Sequence, residues 1–237
     1  MKKYQISIPK SYTGVRVINN RDHISCHAAI SRLSPSRLAY RTLLKLRINK
    51  LPVDILGICR RCKNTKVMTF READKEFPDY SGFLIGGGPS ESAFTMKPEI
   101  ADIKWNFILY NDDMMYNSLQ RLRFSLAHEL GHIVLGHKDE HSFICEAEAN
   151  CFAQHLLCPV PVVEAMNLCD HSKIFLFSKV FGVSRSVAII VLDSKNLMAD
   201  VDLDMQKGIC ELFWLDEGGA QKLLDTLFEN IIKARLG

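Results

Sequence analysis

The sequence predicts an α+β protein, rich in helix and carrying a small mixed β-sheet. Three observations predict it. Long segments with apolar residues on one helical face dominate the chain, strand-like runs are few and short, and no internal repeat or low-complexity tract is present. The chain has 237 residues, 47% of them hydrophobic and 24% charged, enough for a real core in one domain with an appendage or in two small domains.

Residues 1–35 mix strand-like and polar pieces and read as an N-terminal extension. Ser34-Pro35-Ser36 has the form of a helix start, and a basic amphipathic helix follows over residues 37–49. Leu51-Pro52-Val53-Asp54 opens a second helix running to about residue 61, with the proline in its first turn. Residues 66–70 form a strand. Gly82, Gly86, Gly87, Gly88 and Pro89 make residues 81–92 a turn-rich loop, and no Gly-Lys-Ser/Thr follows to suggest a phosphate cradle. Residues 105–110, Trp-Asn-Phe-Ile-Leu-Tyr, are the strongest strand signal, ended by Asn111-Asp112-Asp113.

Asn117-Ser118 caps a long helix over residues 119–136. Another helix covers residues 145–157 and is stopped by Pro159 and Pro161. Residues 174–193 read as two short helices about Gly182-Val183-Ser184, and a last amphipathic helix spans residues 219–235. The organisation predicted is an extension (1–35), a main domain (36–195) and a C-terminal helical appendage (196–237).

Composition excludes several functions. A net charge of +3 is too mild for a nucleic-acid binder, which shows a stronger, clustered excess. The basic start lacks the apolar run of a signal peptide. No apolar stretch approaches the roughly 20 residues that span a bilayer. Eight cysteines without framework spacing read as reduced thiols, so the expected location is cytoplasmic. Cys59-Arg60-Arg61-Cys62 is a lone pair at a helix end and is read as packing. The helix pair over 174–192 has half the form of a DNA-reading motif, but its second helix carries one arginine among apolar residues, so core packing is favoured.

The segment His128-Glu129-Leu130-Gly131-His132 carries chemistry. Residues four apart lie about 40° apart around a helix, so His128 and His132 can present two imidazoles to one Zn²⁺. Glu129 lies about 100° from His128, beside such a metal without binding it, where a general base belongs. The flanking Leu122, Phe124, Leu126, Leu130, Ile133, Val134 and Leu135 would bury this polar trio, which is expensive unless the groups are coordinated or paired.

A catalytic zinc wants a third protein ligand. His137 lies about 180° from His128 if the helix continues, and reads instead as a cation at the helix C-terminus. No cysteine stands between Cys62 and His128 to serve. Downstream, Glu146 is preferred as the third ligand, with Glu148 the alternative. Asn150 shares the face of Glu146 and is the candidate hydrogen-bond partner for a ligand histidine.

These residues carry a resemblance. Residues 123–132, Arg-Phe-Ser-Leu-Ala-His-Glu-Leu-Gly-His, with residues 146–153, Glu-Ala-Glu-Ala-Asn-Cys-Phe-Ala, and Leu156-Leu157-Cys158-Pro159 are similar to the ImmA/IrrE family of metallopeptidases. Cys158 departs from the methionine usual in that family. The resemblance covers residues 37–192 and implies a zincin-like metallopeptidase fold. It further implies Zn²⁺ on His128, His132 and Glu146, and Glu129 as the catalytic base. The implied substrate is a protein, a helix-turn-helix transcriptional repressor of mobile-element or stress genes, with no direct nucleic-acid or membrane partner. The competing expectation is a non-proteolytic zinc module that binds or titrates such a regulator. The oxyanion donor is left among Tyr116, His141, His155 and His171, and the 105–110 strand could offer a sheet edge to an extended substrate.

Overall fold

A computed structural model describes residues 34–78, 92–113, 117–137, 142–194, 201–215 and 218–236. The expected glycine-rich loop lies almost wholly outside the described residues, as does nearly all of the N-terminal extension. The described chain divides into two units, one over Ile55–Ala149 and the other over residues 34–54 and 150–236.

The first unit is built on a three-stranded mixed sheet. Strand β1 (Thr65–Thr69) pairs in parallel with β5 (Asn106–Tyr110), and β5 pairs antiparallel with β2 (Ala93–Met96), giving the order β1-β5-β2. The short strands β3 (Glu99–Ile100) and β4 (Ile103–Lys104) form a separate antiparallel pair. The expected 105–110 strand is thus the central one, with neighbours on both sides. It has no edge to offer a substrate; among the described residues, β1 and β2 are the edge strands on either side of it.

Alternation along the strands sends side chains to two covered faces. Met68, Phe94, Phe107 and Leu109 pack on one face with Ala73, Phe70 and Phe77 at the helix α3 (Phe70–Glu76). That helix starts at a residue whose apolar pattern predicts strand. Thr69 accepts from the Glu72 N–H while the Glu72 carboxylate accepts from the Thr69 N–H, a reciprocal cap that turns the chain from strand to helix. Against the sheet also pack α2 (Ile55–Arg60), which touches β1, and α4 (Leu119–Leu135), which touches β2 and β5.

The second helix is shorter than expected. It begins at Ile55, so Pro52 stands before it, at a cis Leu51-Pro52 bond, and takes no first-turn position. Helix α4 begins where expected: Ser118 accepts from the Arg121 N–H, while Asn117 is buried and donates to the Asn111 carbonyl.

Helix α5 (Phe143–Leu157) starts in the first unit and continues into the second. In the second unit, α1 (Pro35–Leu46) has Ser34 as N-cap and Pro35 in its first turn, and it packs on α9 (Leu203–Leu212). Pro159 ends α5, but Pro161 sits in the first turn of α6 (Val160–Ala165) instead of stopping a helix, because a first-turn proline loses no intrahelical bond. The pair α7 (Ile174–Phe181) and α8 (Arg185–Asp193) turns at left-handed Gly182 and restarts on the Ser184 cap, as expected. Their buried Phe177, Phe181, Ala188 and Val191 make them packing helices. Helix α10 (Gly219–Leu236) closes the described chain.

At this unit's centre Tyr40 and His155 are both buried. The Tyr40 hydroxyl accepts from the Val160 N–H at 3.1 Å, which leaves its proton for His155 Nδ1 at 2.9 Å. Burial raises the Tyr40 phenol and lowers the His155 imidazole to about 4, so both are neutral at pH 7.

Candidate metal centre

Helix α4 is apolar enough to be buried on most of its circumference, and it carries His128, Glu129 and His132 into the interior at 4%, 7% and 2% exposure. The two histidines converge as their spacing requires: His128 Nε2 and His132 Nε2 are 2.9 Å apart. From the first turn of α5, Glu146 brings one carboxylate oxygen to 3.4 Å from His128 Nε2 and the other to 3.5 Å from His132 Nε2.

These separations suit a common cation. Bonds of about 2.0–2.2 Å to a tetrahedral zinc put neighbouring ligand atoms about 3.3–3.6 Å apart. The two carboxylate contacts fall in that range, and the imidazole pair is slightly closer. Two imidazoles and one carboxylate also match zinc chemically. Glu146 is half-buried, and burial alone would raise its carboxyl. Hydrogen bonds and positive charge from His128 and His132 outweigh burial and hold it at about 2, so it is an anion ready to bind.

Glu129 is held from the sheet. Thr95 on β2 donates its hydroxyl to Glu129 Oε2 at 2.7 Å, with both residues buried. Phe94 and Met96, its neighbours on the strand, belong to the opposite face, so alternation alone turns Thr95 toward α4. A short strand with one polar residue gives no reason, in sequence, to single out Thr95.

His137 departs from the position expected of it. Helix α4 stops at Leu135, and Gly136 takes a left-handed φ of 72°. The His137 N–H then bonds the His132 carbonyl and the Gly136 N–H the Ile133 carbonyl, the paired closure of a Schellman turn. The chain therefore folds back, and the 180° separation calculated for a continuing helix does not apply. His137 is 9% exposed, its Nδ1 is 3.0 Å from His132 Nδ1, and its Nε2 is 2.9 Å from Glu148 Oε2. Lys97 Nζ donates to its carbonyl at 2.7 Å. The glycine after the last apolar residue is the signal in the sequence that points to this reversal.

The structure thus brings together His128, His132 and Glu146, while Glu129, next to His128 in the chain, is buried and bonded to Thr95. Glu148 belongs to a different cluster with His137 and Cys145. Asn150 stands one turn beyond Glu146 on α5 and is half-buried. Of the oxyanion candidates, His155 is bonded to Tyr40 and His171 to Asp193. Tyr116 and His141 lie outside the described residues.

Comparison with known families gives one match, over a span that includes these residues. The peptidase M78 family model, described as the IrrE N-terminal-like domain, matches residues 93–192, from β2 to within α8. Comparisons with curated proteins and with solved structures gave no match. Among the described residues no single helix is long and apolar enough to cross a membrane.

Proposed function

We propose, from the premise that residues 93–192 form an IrrE N-terminal-like peptidase domain, that the protein is a zinc-dependent endopeptidase. Its substrate is a protein, and the resemblance noted in the sequence supports a helix-turn-helix transcriptional repressor. One observation carries the reading: three donors from two helices converge within bonding range of one point, on a helix that also buries Glu129, which is not one of the three.

His128, His132 and Glu146 would hold the metal. A zinc ion held there would supply Lewis acidity and make a water acidic enough to lose its proton near neutral pH. Glu129 would take the proton of the attacking water; its Oε2 is fixed by Thr95, and burial removes competing solvent. Among the described residues strand β2 lies at an edge of the sheet and carries Thr95, so an extended substrate pairing along β2 would set its scissile bond close to Glu129.

The test is cleavage of candidate repressors by wild type and by Glu129→Gln, with zinc content measured in both. The variant keeps the metal-binding set and loses the base, so it retains zinc while its cleavage rate falls about 10²- to 10⁴-fold. Tight repressor binding without cleavage by the zinc-loaded wild type would instead indicate a titration module.

A further inference from the structure

Glu146 and Glu148 stand two residues apart on α5, on different sides of the helix, yet both reach the same histidine. Glu146 approaches the Nε2 edge of His132 directly. Glu148 reaches its Nδ1 edge through His137, which lies 3.0 Å from His132 Nδ1 on one side and 2.9 Å from Glu148 Oε2 on the other. The His137 and Glu148 side chains are nearly covered, at 6% and 13% exposure, so water does not readily replace these contacts.

The protons in this chain can be assigned from its far end. An ionised carboxylate only accepts, so His137 Nε2 carries the proton aimed at Glu148. In its neutral form His137 has one N–H, so its Nδ1 is then bare and accepts from His132 Nδ1–H, whereas a doubly protonated His137 would donate from Nδ1 instead. With His137 neutral, His132 has its remaining lone pair on Nε2, the atom that faces His128 and Glu146. The reverse order would set a bare His137 Nε2 against the carboxylate, two acceptors at 2.9 Å.

We propose that His137 and Glu148 form a hydrogen-bond relay, Glu148–His137–His132, that fixes His132 in the tautomer and ring orientation needed to bind a metal through Nε2. The inference rests on the zinc-site reading above and adds two positioning residues to it. Metal-bound histidines commonly donate their second N–H to a carboxylate or carbonyl; here a second imidazole is inserted between histidine and carboxylate. The backbone supports the insertion: the Schellman turn at Gly136 returns His137 to His132, and Lys97 holds its carbonyl. Cys145 lies close enough to join His137 and Glu148 around a second cation, so the test must separate the two arrangements.

Zinc affinity is measured by competition with a chromophoric chelator on the full chain, for wild type, His137→Leu, His137→Gln, Glu148→Ala, Glu148→Gln and Cys145→Ser, each checked for folding by circular dichroism. Long-range ¹H–¹⁵N NMR on the zinc-loaded protein reads the imidazole tautomers. The relay predicts one equivalent of zinc in wild type, affinity about 10- to 100-fold weaker in His137→Leu and Glu148→Ala, and partial recovery in the two glutamine variants. It predicts Nδ1–H on His132, Nε2–H on His137, and no change in Cys145→Ser. Unchanged affinity in His137→Leu and Glu148→Ala, or Nδ1–H on His137, overturns the relay while leaving the zinc site standing. A second equivalent of zinc that disappears in Cys145→Ser also overturns it, in favour of a second metal site. A folded wild type that takes up no zinc overturns the site reading itself, and the relay with it.

Discussion

The Thr95 hydroxyl donates to Glu129 Oε2 at 2.7 Å, joining strand β2 to the helix that carries both histidines. Both partners are buried, so the bond constrains a carboxylate that water would otherwise solvate and reorient. The β2–β5 register, Thr95 opposite Ile108, fixes the height of the threonine on the strand.

Thr95→Val keeps the shape and removes the donor. A hydrogen bond to a charged group is worth about 1.5–3 kcal/mol, so kcat/KM should fall about 10- to 100-fold, mostly through kcat. Zinc content should not change, and Thr95→Ser should recover most of the rate. Steady-state kinetics beside metal analysis checks this; loss of zinc in Thr95→Val would mean that the threonine supports the ligands instead of the base.

Gly136→Ala tests the turn that returns His137. Nothing lies within 4 Å of the position a Cβ would take, so no clash arises. The φ of 72° still disfavours an L side chain by about 1 kcal/mol. A melting temperature lowered by a few degrees is expected, with Gly136→Asn milder than Gly136→Ala. If zinc affinity falls with it, the turn and the metal site are coupled as the geometry implies.

His155 makes the second unit sensitive to acid. Burial lowers its folded pKa to about 4, against about 6.5 in an unfolded chain. Above pH 6.5 it is neutral in both states and exerts no pH effect. Between about 6.5 and 4 the unfolded chain binds a proton that the folded chain excludes, so stability falls as pH falls. The loss levels out below 4, at about 3 kcal/mol. Urea unfolding from pH 8 to pH 4 should show this slope, and His155→Leu should flatten it. Tyr40→Phe removes both the donor to Nδ1 and the acceptor for the Val160 N–H, and should destabilise the unit at pH 7 by about 2–3 kcal/mol.

Much of the centre is legible in the sequence because its chemistry is local. His128, Glu129 and His132 share one helix whose cap at Ser118 and apolar flanks are plain in the chain, and helical periodicity alone orients them. Strand β5 and the pair α7–α8 are equally readable, from a strong apolar run and from Gly182 with Ser184. What escapes depends on chain reversal or on partners far away. Thr95 meets Glu129 across 34 positions, from a four-residue strand with no periodic signal of its own. The direction expected for His137 comes from extending a helix past the glycine that ends it. Helix α3 is hidden because Phe70 continues the apolar strand pattern, although Thr69 and Glu72 already carry the cap.

The most direct measurement of the central claim is a crystal structure of the zinc-supplied protein, with an anomalous difference map recorded at the zinc edge. One strong peak is expected, bonded at about 2.0–2.2 Å to His128 Nε2, His132 Nε2 and a Glu146 oxygen, with Glu129 beside it and outside the bonding shell. No peak at those atoms, or a single peak among His137, Cys145 and Glu148, would contradict it.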